Sequence, residues 1–145
     1  MIRVIWPLLF LMKRREAEID FGSLVQKGDW GREKHTPLIT FLGEKDSVLE
    51  IEVSVGEKMP HPNTAEHHIG CIEVYFLPTG EKFPYQIVRV DFLTHGASVQ
   101  GPNTSTIYTE PKINFSFKTE KPGVILALSY CNIHGLWQNS KELTL

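Results

Sequence analysis

Transition-metal chemistry is within reach of one stretch near the C-terminus, Tyr130-Cys131-Asn132-Ile133-His134-Gly135-Leu136-Trp137. A thiol and an imidazole stand there with two residues between them, on a turn closed by glycine and followed by an aromatic side chain. Such a turn lets a soft sulfur and a nitrogen converge on one point, a common way of gripping a metal ion. By itself a Cys-x-x-His pair reads equally well as a buried thiol beside an unrelated histidine. Its weight comes from two further segments that carry imidazoles, Glu33-Lys34-His35 and His61-Pro62-Asn63-Thr64-Ala65-Glu66-His67-His68. His67 and His68 are adjacent, so in an extended chain they point to opposite faces and only one of them serves as an inward ligand.

The size of the donor set bears on the metal. Zinc is satisfied by four ligands, so Cys131, His134 and any two of His35, His61 and His67 would saturate a structural zinc site. Four histidines and a thiolate together exceed that number and suit a five-coordinate ion with one open position. Iron fits, because imidazole suits it and a thiolate tunes its redox chemistry. Blue copper is the rival, since it also uses a late-loop Cys and a nearby His on a β-sandwich. It usually adds a weak methionine ligand downstream, and no methionine follows Met59.

The elements that must position these residues read as strands. Extended runs occur at Thr36–Leu42, Val48–Val55, His67–Leu77, Tyr85–Thr94, Lys112–Lys118, Val124–Tyr130 and Glu142–Leu145. In the second of them Leu49, Ile51, Val53 and Val55 alternate with Glu50, Glu52 and Ser54. Turn signals lie between the runs at Gly43-Glu44, Pro78-Thr79-Gly80, Gly101-Pro102-Asn103 and Lys121-Pro122-Gly123. Glu16–Lys27, with Ile19, Phe21, Leu24 and Val25, predicts a short helix or turn packed on the domain. About seven strands and one weak helix describe an all-β, immunoglobulin-like sandwich. Residues 28–145 form the candidate metal-binding domain and 1–27 an N-terminal extension.

A chain of 145 residues with net charge −2 buries a core of its own, and its acids and bases are interleaved. That distribution gives no electrostatic footprint for nucleic acid. Cys71 and Cys131 are too few for a disulfide scaffold, and free thiols or a metal thiolate point to a reducing cytoplasm. The apolar run 2–11 is too short for a membrane span, and Lys13-Arg14-Arg15 follows it where a secretory signal has its charges first. One reading makes Met12 the start and residues 1–11 non-native; the other makes them a tail that packs on a partner subunit.

At its histidine segments the chain resembles the superoxide reductases of the one-iron, neelaredoxin-like type, in the desulfoferrodoxin family. The residues that carry the resemblance are Glu33-Lys34-His35, HPNTAEHHI from His61 to Ile69, HGASVQGPNTSTIYTEP from His95 to Pro111, and ALSYCNIHGLW from Ala127 to Trp137. It covers the chain from Gly28 onward and implies an immunoglobulin-like sandwich. It implies iron held by His35, His61, His67 and His134 in a plane with Cys131 axial. Glu33 would be the carboxylate that caps the sixth site in the oxidised state, and Lys34 the cation beside it. The implied activity is one-electron reduction of superoxide to hydrogen peroxide, with a rubredoxin-like donor and a homotetrameric assembly. The alternative is a non-catalytic metal-binding or electron-transfer sandwich of cupredoxin type. Outside the ligand set, Cys71 reads as a buried free thiol, His68 as an outward contact, His95 as structural, and Asn63 and Thr64 as turn formers.

Overall fold

The computed structural model describes residues 16–145. The apolar run 2–11 and the reading of Met12 as the start fall outside them. Among the described residues eight strands form: β1 (Gln26–Lys27), β2 (Leu38–Lys45), β3 (Val48–Ser54), β4 (Ile69–Pro78), β5 (Tyr85–Asp91), β6 (Lys112–Lys118), β7 (Gly123–Cys131) and β8 (Gly135–Leu143). They make a five-stranded sheet in the order β1-β8-β7-β4-β5 and a three-stranded sheet in the order β2-β3-β6. The all-β sandwich expected from the alternating runs is the observed architecture. β1 lies within the N-terminal extension, yet joins the larger sheet by parallel pairing of Gln26 with Trp137.

Period-two alternation builds the core. Leu49, Ile51 and Val53 of β3 turn inward, and Ile72, Val74 and Phe76 of β4 and Ile125 and Ala127 of β7 meet them from the other sheet. Burying one such Ile or Val side chain contributes about 1.5–3 kcal/mol, and these residues are at most 4% exposed. The β2–β3 hairpin turns on Asp46 and Ser47, both at positive φ (54° and 64°), the two-residue turn whose twist matches that of its strands.

Three local expectations change. Glu16–Lys27 is not a packed helix: a single 3-10 turn covers Phe21–Leu24, begun by Asp20, whose side chain accepts from Gly22 N, and it buries none of its residues. Ile19, Phe21 and Leu24 are exposed there. Gly43-Glu44 is not a turn but part of β2, where the register against β3 slips between Phe41 and Gly43 in a bulge. The final strand is Gly135–Leu143 rather than Glu142–Leu145, and it pairs with β7 along its whole length. Among the described residues no helix is long and apolar enough to cross a membrane.

Candidate metal centre

Strand register gathers the histidine segments at one end of the sandwich. Leu38 opposite Ser54 brings the entry to β2 beside the exit from β3, and Ile69 opposite Cys131 brings the entry to β4 beside the end of β7. His35 precedes β2, His61 follows β3, His67 precedes β4, and Cys131 closes β7. The β7–β8 hairpin then delivers His134, because Cys131 pairs with Gly135 and Gly135 adopts φ 76°.

The four imidazoles stand in a ring. Neighbouring centroids are 4.8 Å apart for His35–His61, 4.8 Å for His61–His67, 5.1 Å for His67–His134 and 4.8 Å for His134–His35. Across the ring His35 and His67 are 6.5 Å apart, a diagonal only slightly shorter than a flat square of that side would have. One potential ligand atom from each of His35, His61, His67 and Cys131 lies within 4.8 Å of the others. His134 joins through Nδ1, 3.1 Å from His35 Nε2 and 3.7 Å from Cys131 Sγ.

Hydrogen bonds on the outer side of the ring fix which nitrogen faces in. His35 Nδ1 and His35 N both bond Glu33 Oε1, leaving Nε2 inward. His61 Nδ1 donates to Pro62 O at 2.6 Å, leaving its Nε2 inward as well. His61 Nε2 and His67 Nε2 are buried and have no partner. Buried polar atoms are rarely left so, and two of them aimed at one point beside a thiol are what a metal ion would satisfy.

Burial, above all else, favours the neutral form of His35, His61 and His67. His61 is pushed down to about 4 by burial, against the pull of Pro62 O, with His35, His67 and Lys34 adding to the fall. Burial likewise lowers His35 and His67. Burial works to raise Glu33, but hydrogen bonds from His35 outweigh it and the carboxyl lies below its ordinary value. Neutral imidazoles with inward lone pairs are the state a metal requires.

The sulfur is fully buried and accepts a hydrogen bond from His134 N at 3.4 Å. Trp137 stacks on His35 (4.8 Å, 15° between planes) and donates from Nε1 to His134 O, so it ties the His35 ring to the His134 backbone. Four nitrogens and a thiolate exceed what tetrahedral zinc takes and fit iron.

The structure thus brings His35, His61, His67, Cys131 and His134 together. Glu33 reaches the group through His35, and Lys34 lies close enough for its charge to act on three of the rings. Cys71 is a buried free thiol on β4, raised by burial.

Thr64 and Asn63, turn formers by sequence, and Asn132, which the sequence does not single out, brace the site, and His95 takes the structural role its segment suggests. Thr64 Oγ1 accepts from His67 N at 3.0 Å. Asn132 bonds His68 N through Oδ1 (2.8 Å) and Glu66 O through Nδ2 (2.8 Å), tying the cysteine turn to the His67 loop. His95 is buried, with Nδ1 on Asn63 Oδ1 and Nε2 on Phe92 O, and its ring stacks on His68 at 3.6 Å. The available signal was the residue type, since Asn and Thr side chains habitually bond nearby backbone.

Comparison with known proteins agrees with this geometry. The chain is 57% identical over 124 residues to the superoxide reductase of Pyrococcus furiosus, covering 86% of this chain and 98% of that protein. It is 55% identical over 123 residues to a putative superoxide reductase of Archaeoglobus fulgidus (85% and 98% covered). The solved structure of superoxide reductase (neelaredoxin) from Archaeoglobus fulgidus in the reduced form superposes with a TM-score of 0.82 at 55% identity, covering 84% of this chain and 99% of that one. The family model for desulfoferrodoxin matches residues 27–140, every strand from β2 to β7 and all five converging side chains included. With sequence, fold and donor set in agreement, the chain belongs to the desulfoferrodoxin family.

Proposed function

We propose that the chain is a superoxide reductase whose iron is held by His35, His61, His67, His134 and Cys131. The observation that carries this reading is the ring of four inward imidazole nitrogens, two of them buried without partners, closed by a thiolate. When bound, ferrous iron supplies the single electron that, with two protons, turns superoxide into hydrogen peroxide.

The protein's own residues do the rest. Pro62 O and Glu33 hold the Nδ1 protons of His61 and His35 outside the ring, so neither imidazole rotates its lone pair away. The His134 N–H withdraws charge from Cys131 Sγ and limits how strongly the thiolate donates. Lys34 has no carboxylate partner among the described residues, and its charge raises the local concentration of a small anion. Glu33 orients His35 in the present conformation; released from His35 Nδ1, its carboxylate would be free to serve as a further oxygen donor to the iron. Water at the exposed His134 side supplies the protons.

The electron donor in this reading is a small redox protein of rubredoxin type. Ile133, between two ligands, is 59% exposed, and the exposed Tyr130 and Met59 adjoin Cys131 and the His61 loop. Those apolar side chains suit a transient docking partner. The exposed Ile19, Phe21 and Leu24 suit burial between copies in a homotetramer. Residues 28–145 make the iron-binding unit, and the two unpaired cysteines suit the cytoplasm.

Metal analysis and turnover test the function together. About one iron per chain is expected, with a visible charge-transfer band on oxidation that vanishes on reduction and in Cys131→Ser. Superoxide should yield peroxide without oxygen. Copper in place of iron, or oxygen evolved from superoxide, would overturn the proposal.

A further inference from the structure

One edge of β2 pairs with β3, and among the described residues the other has no strand beside it. Carbonyls along that edge and along the segment leading into it are taken instead by side chains from the larger sheet. Ser129 Oγ donates to His35 O at 2.7 Å, Asn139 Nδ2 to Pro37 O at 2.8 Å, and Lys141 Nζ to Ile39 O at 3.1 Å. The acceptors fall at every second residue, as they must when an extended chain turns alternate carbonyls to one side. A ladder of side-chain donors therefore replaces a missing strand and joins the two sheets along this seam.

The ladder begins at the metal centre. Ser129 lies on β7 two residues before Cys131 and is 1% exposed. It stands opposite Trp137 of β8, whose indole stacks on the His35 ring. One strand thus carries the thiolate and grips the His35 backbone, while its neighbour carries the plate behind the His35 ring. Asn139, two residues on, holds Pro37 and is itself fixed through Oδ1 by Ser140 N. Lys141 is furthest from the centre, and its ammonium also lies over the Phe41 ring at 4.9 Å.

We propose that Ser129 and Asn139 are positioning residues for the metal centre, holding the His35–Pro37 backbone so that His35 Nε2 meets the point addressed by Cys131. Lys141 continues the same seam but serves only to join the sheets. The proposal rests on the iron reading of the site.

The test compares Ser129→Ala, Asn139→Asp and Lys141→Met in iron-loaded protein. Asn139→Asp keeps shape and the bond from Ser140 N while removing the donor; Lys141→Met keeps the chain over Phe41. Iron affinity by chelator competition, the position of the ferric thiolate band and Tm are measured for each. Ser129→Ala and Asn139→Asp are expected to lose about tenfold in iron affinity, in the range usual for residues that orient metal ligands, and to shift the band. Lys141→Met is expected to lower Tm alone. Should Ser129→Ala fail to fold, the half-buried Asn139 still decides. Wild-type affinity and band in Asn139→Asp, with only Tm reduced, would overturn the ladder's role. A wild-type chain that takes up no iron would overturn this proposal and the iron reading together.

Discussion

Replacing Gly56 by alanine measures how tightly the His61 loop is packed against the end of β3. Gly56 has φ 80°, and a Cβ built there would lie 2.7 Å from His61 N and 3.3 Å from His61 Cβ. Left-handed backbone alone costs a non-glycine residue about 1–2 kcal/mol. Gly80 supplies the control: its φ is 83° and an added Cβ meets nothing within 4 Å. Gly80→Ala therefore carries the backbone cost and nothing more, a fall in Tm of roughly 2–8 °C for a chain of this length. Gly56→Ala adds a clash with a backbone nitrogen, which cannot swing aside as a flexible side chain would. His61 must withdraw by a few tenths of an ångström, taking Nε2 with it. The expected result is a larger loss of Tm than in Gly80→Ala and iron binding weaker by about tenfold, while Gly80→Ala binds iron as wild type does. Calorimetry of the metal-free chains and chelator competition on the loaded ones give the two numbers. Equal Tm losses with unchanged iron affinity in both variants would refute the close approach on which the placement of His61 depends.

Metal-free protein should lose stability on acidification between about pH 6.5 and about pH 4. Burial depresses His61 across that interval, so the unfolded chain binds a proton there that the folded chain does not, and unfolding is favoured as pH falls. Chemical denaturation at a series of pH values reads this directly, and a flat profile over the interval would contradict it. Lys34→Ala is expected to slow the second-order reaction with superoxide several-fold at low ionic strength, with the difference shrinking as salt rises. Pulse radiolysis at graded salt concentrations measures it; an unchanged salt dependence would remove Lys34 from the steering role.

Where burial is one-sided the strands were plain in the sequence. Leu49, Ile51 and Val53 alternate with charged neighbours because one face of β3 meets the core and the other meets water. β8 was misplaced because its work is polar. Gln138, Asn139, Ser140 and Lys141 interrupt any apolar period, and two of them serve carbonyls of β2 and of the residue just before it. The apolar spacing of Ile19, Phe21 and Leu24 resembled a helix face, but the segment holds only one turn and gives those side chains nothing to pack on. The converging donors were legible from residue type and order, since Cys and His at ligand spacing carry their chemistry openly. Their braces were not. Ser129, Asn132 and Thr64 are ordinary polar residues whose roles depend on which distant backbone atom folding brings within reach.

His35 and His134 are separated by 99 positions in the chain, yet their nitrogens nearly touch. No single segment supplies more than two of the five donors, so an unfolded chain offers iron little to hold. The apolar interior, by contrast, draws on the metal group only for Cys131, and its assembly asks nothing of the ion. Packing of the apolar core closes that long loop, so part of the entropic cost of gathering the donors falls on the core rather than on the metal. What the fold gathers is a receptacle whose donor number and softness, four imidazoles and a thiolate, favour iron among the cations that reach it.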